Sequence, residues 1–284
     1  MTAHVIIPMH NRASLIPGLI KSLREQNTTG PLRFIFVDSG SIDSSASQIL
    51  EASQVDHRFH LVAGKSDWWW ARAVQEGIEF ALLDAGKDDI VVLLNDDVTL
   101  AANFFETGIR FSQENPGTVW GSGLRVIGGV DEFKISTRTK DFRVHYNDVA
   151  QVAGATTFDQ SLISGRGAFY PVKLFSEGIG VRFNKIPHYL ADYDLSSQAK
   201  LAGYTLKGSS DLFVLSNNNF GSSPATDHSY FWRAFATESP DRLLSHFHFW
   251  SVETGQSLFG VAVRYITSRL LGLGNKRLGH GDVN

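Results

Sequence analysis

The sequence predicts an α/β fold: a mostly parallel sheet flanked by helices, then a mixed half and a helical C-terminal segment. Three observations carry the prediction. Over residues 1–115, short apolar runs alternate with stretches of helical spacing, the pattern of strand–helix–strand units. The apolar runs are continuous rather than alternating, as strands covered on both faces require. Most of them end in polar residues, at the edge where open sheets of this kind bind ligands.

The elements follow in order. "HVIIPM" reads as the first strand, and Leu15, Leu19, Ile20 and Leu23 recur after it at helical spacing. "LRFIFVDSG" is the second strand, and "DSSASQILEAS" a helix opened by serine and aspartate caps. "FHLVAG" is a third, short strand. "WARAVQEGIEFALLDAG" is a helix closed by Gly86, and "DIVVLLNDD" is the fourth strand. Beyond Asn115-Pro116-Gly117 the texture changes. "TVWGSGLRVIGG", "FKISTRTK" and "FRVHYNDV" read as short antiparallel strands joined by glycine turns. "GRGAFYPVKLFSEGIG" precedes a helix in "ADYDLSSQAKLAGYTL" and a last strand, "DLFVLS". From Asp227 onward aromatics are frequent, and "SLFGVAVRYITSRLLGLGNKR" is an amphipathic helix ending near Gly272. The expected organisation is a ligand-binding half at 1–115, a second half of the same domain at 116–226, and a C-terminal extension at 227–284.

Bulk properties narrow the function. With 284 residues and 43% hydrophobic content, the chain can bury a large core. Lys plus Arg number 26 against 29 for Asp plus Glu. That balance argues against a nucleic-acid partner, whose phosphates require a basic surplus. The chain has no cysteine, which excludes disulfides, zinc–thiolate sites and thiol catalysis, and fits a cytoplasmic protein. "MTAHVIIPMHNR" lacks the basic segment and long apolar run of a secretion signal. No stretch reaches the roughly 18–20 apolar residues of a membrane span, so a soluble chain is expected.

Two acidic clusters carry the chemistry. "VVLLNDDV" runs four apolar residues into the adjacent carboxylates Asp96 and Asp97. Like charges side by side need something positive between them. A hard divalent cation, Mg²⁺ or Mn²⁺, takes one or two carboxylates and completes its shell with water and substrate phosphates. The other reading is a turn in which one of the pair caps a helix beginning in "DDVTLAANF". In "PHYLADYDLSSQAKLAGY", Asp192 and Asp194 are one residue apart and do not share a helical stripe. Asp192 is expected just outside the helix and Asp194 in its first turn. A carboxylate at a helix mouth can act as a general base or merely answer the helix dipole. Trp68, Trp69 and Trp70 cannot all face one way; at least one is expected in the core and another free to stack on a sugar or base. Gly165-Arg166-Gly167 either brings the backbone close to something or makes a turn of positive φ.

Together, "VIIPMHNRASLIPGLIKSL", "FVDSGSIDSS", "DWWWARAVQEGIEFAL", "LLNDDV" and "LADYDLSSQAKLAGY" resemble the successive motifs of family-two glycosyltransferases of the GT-A fold. The resemblance covers nearly the whole chain and is nearest to bacterial sugar transferases of O-antigen and capsule assembly. It implies a Rossmann-like nucleotide-binding sheet followed by an acceptor-side half. Pro8, Asn11 and Arg12 then line the nucleotide site, Asp38 bonds the uracil or thymine ring with Ser39 and Asp43 nearby, and Asp67 with the tryptophans closes over the nucleotide. Asp96 is implied to contact the nucleotide sugar, Asp97 to bind the metal, and Asp192 to be the catalytic base. Gly165, Arg166, Trp69, Trp70 and Asp194 fall on the acceptor or sugar side. His228, in "VLSNNNFGSSPATDH", is the histidine available for the family's metal or diphosphate contact. The sequence departs from the family at three places. Asn95 replaces the first aspartate of the metal motif, Ala191 stands where a glutamate is frequent, and Arg72 occupies a position that is usually small. Arg72 could meet a diphosphate or lie solvated on its helix.

The resemblance implies an inverting, metal-dependent enzyme that moves a sugar from a UDP- or dTDP-sugar to a hydroxyl of a glycan or lipid-linked acceptor. A non-catalytic nucleotide- or sugar-binding homologue is the alternative that Asn95 and Ala191 keep open. A sugar nucleotidyltransferase would need an early glycine-rich loop, which "PMHNRAS" lacks. A dinucleotide oxidoreductase would need G-x-G-x-x-G after the first strand, which is missing too. The C-terminal helix mixes Phe259, Val261, Val263, Ile266, Leu270 and Leu271 with Arg264, Arg269, Lys276 and Arg277. That composition suits docking on the inner face of a membrane as well as packing on the domain or on a second subunit of a homodimer.

Overall fold

The computed structural model describes residues 1–126, 133–138, 144–148, 156–216, 230–237, 239 and 242–278. The chain runs β1 (Ala3–Met9), α1 (Ile16–Arg24), β2 (Leu32–Asp38), α2 (Ser45–Val55), β3 (Phe59–Ala63), α3 (Trp70–Leu82), β4 (Ile90–Leu93), β5 (Thr99–Leu100) and α4 (Phe104–Glu114). It continues with β6 (Thr118–Val126), β7 (Phe133–Arg138), β8 (Val144–Asp148), β9 (Thr157–Asp159), β10 (Ala168–Pro171), α5 (Val172–Ser176), α6 (Ala191–Leu201) and β11 (Thr205–Ser216). Three helices close the described chain: α7 (Tyr230–Phe235), α8 (Leu243–Thr254) and α9 (Leu258–Leu278).

One sheet, in the order β3-β2-β1-β4-β10-β6-β11-β5, spans the molecule. Strands β1 to β4 pair in parallel. β10 lies antiparallel between β4 and β6, so the sheet crosses residue 115 without a break. β6 and β11 are parallel to each other, while β5 and β9 run antiparallel to β11. The β7–β8 hairpin extends from β6.

Every residue of β1 is buried, because helices cover both of its faces. The two-residue period of a strand divides its side chains between two cores. Val5 and Ile7 join α1, α2 and α4 on one face, and Ile6 joins α3, α5 and α6 on the other. The layers touch closely. A Cβ on Gly77 of α3 would lie 2.4 Å from Ile6 Cγ2, so α3 reaches this depth only because residue 77 has no side chain.

Four boundaries differ from the sequence reading. α3 ends at Leu82, not at Gly86, because Gly86 starts a turn in which its N–H donates to the Asp89 carboxylate at 2.8 Å. Asp96 and Asp97 form a turn that leads through Val98 into β5, so neither carboxylate caps a helix there. α6 stops at Leu201, and Thr205-Leu206 already belongs to β11, which bulges between Gly208 and Phe213. α9 continues past Gly272 to Leu278. At α2, Ser44 makes no side-chain cap; Asp43 instead accepts the Ser45 N–H at 2.9 Å.

Two glycine substitutions test this packing by chemical denaturation. Gly77→Ala should cost about 1–3 kcal/mol through overpacking against Ile6. Gly18→Ala, at an exposed helical position with nothing within 4 Å of the added carbon, should gain about 0.4–1 kcal/mol. Equal effects at the two positions would contradict the close approach of α3 to β1.

Candidate active site

The parallel strands deliver their last residues to one edge. After β1 the chain turns at Asn11, whose φ of 53° is one of two positive values among the described non-glycine residues. Asparagine tolerates that conformation best because its short amide bonds locally. Here Asn11 Oδ1 accepts the Ile42 N–H at 2.9 Å, and the Asn11 N–H donates to Ser41 Oγ at 2.8 Å. The loops after β1 and β2 are thus laced together. Ser39 N–H donates to Met9 O, and His10 Nδ1 bonds Ser39 O at 2.8 Å. Asp38 is buried at the end of β2, with its carboxylate accepting the Ser41 N–H at 3.1 Å and the Ser41 hydroxyl.

At the end of β4 the two adjacent carboxylates are treated differently. Asp96 is buried and accepts Arg12 Nε at 3.2 Å, which ties the β4 edge to the β1 loop. Burial pushes its pKa up to about 6 against the pull of the Arg12 guanidinium, and the neighbouring Asp97 charge adds to the rise. Asp97 Oδ1 is buried with no hydrogen-bond partner. A buried carboxylate oxygen left unpaired is costly unless something positive meets it. Its donor type and position suit a hard divalent cation.

Asn95 makes the next link. Its Oδ1 accepts the Trp70 indole N–H at 3.2 Å. The same indole lies over Gly165, where a Cβ would stand 2.5 Å from Trp70 Cζ2. Gly165 N–H in turn donates to Asp192 Oδ2 at 2.8 Å, and Asp192 Oδ1 accepts the Tyr193 N–H at 2.9 Å. Asp192 is half-buried. Burial raises its carboxyl above the ordinary range, and the two N–H groups and the Arg166 charge offset this only in part. The second non-glycine residue of positive φ, Leu190 at 73°, stands just before α6 and aims its first turn at this place. Contrary to the sequence reading, Asp192 is inside the helix rather than outside it.

This geometry can be set beside known proteins. The family model described as Glycosyl transferase family 2 matches residues 4–177. The chain belongs to glycosyl transferase family 2. Among solved structures, the mannosyltransferase PcManGT from Pyrobaculum calidifontis, in complex with GDP-Man and Mn²⁺, aligns with 99% of this chain and 76% of its own at a TM-score of 0.57 and 16% identity. S. aureus TarS 1–349, in complex with UDP, aligns with 76% of this chain at a TM-score of 0.54 and 16% identity. GalNAc-T7 with UDP, GalNAc and Mn²⁺ covers 76% of this chain at a TM-score of 0.62 and 13% identity. The chain spans 60% of that TarS chain and 44% of GalNAc-T7. No curated protein matches it. At these identities the structures establish the GT-A fold alone.

Other expected site residues of this chain fall in several places. Pro8 is buried inside β1 opposite Val37 and has no backbone N–H to donate. Asp67 is exposed on the loop before α3. Arg72 forms an ion pair with Glu76 on its own helix and lies over the Phe183 ring at 4.2 Å and the Trp68 ring at 5.5 Å. None of the three tryptophans is fully buried: Trp68 and Trp70 lie against the core, while Trp69 is 38% exposed beside the His188 ring. Asp194 is 1% exposed and gripped by the Arg182 guanidinium and by Gln198 Nε2 at 3.0 Å. Gly167 has the positive φ, 98°, while Gly165 provides the close approach, so both readings of that turn hold at different residues. Arg166 lines a polar pocket with Ser122, Ser136, Gln160 and Ser164. His228 lies outside the described residues.

The sequence reading missed Ser41, Arg182 and Tyr170. Ser41 was visible in "DSGSIDSS" as a hydroxyl three residues from Asp38. Nothing in the sequence pointed to Tyr170, whose buried hydroxyl has no partner and whose pKa is driven upward by burial and by the Asp192 charge.

Two predictions follow from the buried carboxylates. Asp194→Asn should lower stability by about 3–5 kcal/mol, because it leaves Arg182 without its counter-charge; a melting temperature equal to wild type would refute the pair's role. Asp96 holds its proton to about 6 in the folded chain against 3.8 in an ordinary carboxyl. The folded state therefore binds more protons between these values, and the Asp96 contribution lowers stability as pH rises through that window. The full step corresponds to roughly 3 kcal/mol. In Asp96→Asn the stability difference from wild type should shift in favour of the variant between about pH 4 and 6 and stay constant above it. A difference independent of pH would show that Asp96 is not perturbed.

Proposed function

We propose that this glycosyltransferase moves a sugar, with inversion, from a nucleoside diphosphate donor to a hydroxyl of a glycan or lipid-linked acceptor in cell-surface polysaccharide assembly. The observation that carries the reading is Asp192: a half-buried carboxylate of raised pKa, pinned by two backbone N–H groups and set across Trp70 from the acidic end of β4. A carboxylate of raised pKa is a competent acceptor of a hydroxyl proton. In the proposed reaction the acceptor O–H gives its proton to Asp192 while its oxygen bonds to the anomeric carbon. The bond from that carbon to the diphosphate oxygen breaks, and its electron pair leaves with the nucleoside diphosphate. One displacement assisted by one base inverts the centre.

Asp38, Ser39, Asn11 and Arg12 would receive the nucleotide at the ends of β1 and β2, with a UDP- or dTDP-sugar the expected donor. The UDP of the TarS and GalNAc-T7 structures and the GDP-Man of PcManGT support a nucleotide-linked donor. A divalent cation, Mn²⁺ or Mg²⁺, would be held by Asp97 and would supply positive charge to the departing diphosphate. The partnerless Asp97 Oδ1 and the Mn²⁺ of two structural neighbours support it. Among the described residues no three His, Cys, Asp or Glu side chains gather as a metal cage, so water and donor phosphates would complete the shell.

One observation favours a second reading, a non-catalytic nucleotide- or sugar-binding member. Asn95 replaces a carboxylate of the metal motif, and its amide oxygen is occupied by Trp70. Turnover separates the two.

The experiment is a thermal-shift screen of UDP, dTDP, GDP and CMP with and without Mn²⁺, followed by donor turnover. A matching nucleotide at about a hundred times its Kd should add roughly 2.7 kcal/mol of stability. The gain should need both Mn²⁺ and Asp97, and vanish in Asp97→Ala. Asp192→Asn should keep the nucleotide shift and lose transfer by about 10²–10⁴-fold. Near wild-type transfer by that variant would remove Asp192 as the base. Nucleotide binding without turnover would favour the non-catalytic reading.

A further inference from the structure

We propose that α9 is a docking helix for an anionic lipid bilayer and lies flat on its surface. The two sides of the helix differ. Val261 and Tyr265 are buried, with Tyr265 packed on His246 at 5.4 Å and on Phe247 at 5.7 Å between ring centres. Phe259, Val263 and Ile266, spaced at i, i+4 and i+7, form one stripe on the other side. They are 80%, 49% and 50% exposed. An apolar stripe this exposed on a soluble surface marks a contact.

Charge decides among the occupants. Over Leu258–Leu278 the sequence holds Arg264, Arg269, Lys276 and Arg277 and no Asp or Glu, in a chain whose net charge is −3. A second copy would bring the same positive helix against this one, and like charges oppose that pairing. An anionic lipid surface instead gains about 1 kcal/mol for each basic residue near it. α9 is not apolar enough to cross a membrane, as no described helix is. A basic helix that does not span but exposes an apolar stripe can lie in the interface, with that stripe in the acyl boundary.

The placement also bears on transfer. α9 packs on α8, and α8 is tied to α6 by Ser197 Oγ donating to Glu253 Oε1 at 2.8 Å. α6 carries Asp192. Docking through α9 would therefore hold the base at a fixed height above the membrane, where a lipid-linked acceptor would present its hydroxyl; this consequence rests on the transfer reading, and the docking does not.

The test is flotation of the full chain with vesicles of phosphatidylcholine alone and of mixed phosphatidylcholine and phosphatidylglycerol, with no donor or acceptor present. Binding should be confined to the mixed vesicles and fall as salt rises. The triple variant F259S/V263S/I266S should lose it by about tenfold or more, with an unchanged melting temperature because these side chains are exposed. A second variant, R264E/R269E, should lose preference for the anionic vesicles. No flotation of wild type, or equal flotation of the triple variant, overturns the proposal. So does a wild-type dimer in solution that the triple variant dissociates, since the stripe would then be a contact between copies.

Discussion

The Trp70 indole sits where the two ends of the site meet, and the spacing between the acidic edge of β4 and Asp192 depends on it. Its N–H is held by Asn95 on one side, and its six-membered ring is received by Gly165 on the other. Gly165 then passes its own N–H to Asp192. An aromatic ring is rigid and has two side-chain torsions, so it fixes a separation that a flexible side chain would not. The backbone on both sides has been shaped to fit. Residue 165 has no Cβ, and Leu190 takes a left-handed conformation to start α6 where it does. Such costs persist where the surrounding structure over-determines the geometry, and they concentrate at functional sites.

Two buried carboxylates and the half-buried Asp192 surround this arrangement, and each is compensated in a different way. Asp194 has a full ion pair with Arg182 and an amide donor, which binds α6 to the segment before it. Asp96 has one guanidinium contact and remains partly protonated near neutral pH. Among the described residues, Asp192 has two backbone N–H groups and the Arg166 charge. The order runs from anchored to available. A carboxylate locked in an ion pair can fix a helix, but it cannot readily take a proton from a ligand. A carboxylate oriented by neutral donors keeps that capacity, at the expense of stability. The proposed base is the one of the three whose described hydrogen bonds come from neutral backbone donors alone.

How legible this was in the sequence depends on whether a feature is local. The parallel strands could be read from continuous apolar runs, because burial on both faces is a property of each strand by itself. The positions of Asp38, Asp96 and Asp97 at strand ends followed from the same runs. The role of Asn95 could not be read. As a departure from a metal motif it looked like a loss, whereas its amide is what holds Trp70, a partner 25 positions away. The fate of Asp194 was hidden for the same reason, since Arg182 approaches from a different loop. Gly86 looked like a helix stop, but the Asp89 carboxylate claims its N–H for a turn. In each case the local pattern was sound and a tertiary partner decided the outcome.

The arrangement of helices gives the acidic edge and the C-terminal segment a mechanical relation. α6 carries the first-turn Asp192 and, five residues further on, Ser197, whose hydroxyl reaches Glu253 on α8. Arg182, which grips Asp194, also donates to the His248 carbonyl of α8. α8 is thus bonded twice to the elements around the carboxylates, and its aromatic face receives Tyr265 of α9. The described contacts from α9 to α6 therefore run through the rings of α8 and through the Arg182 and Glu253 side chains.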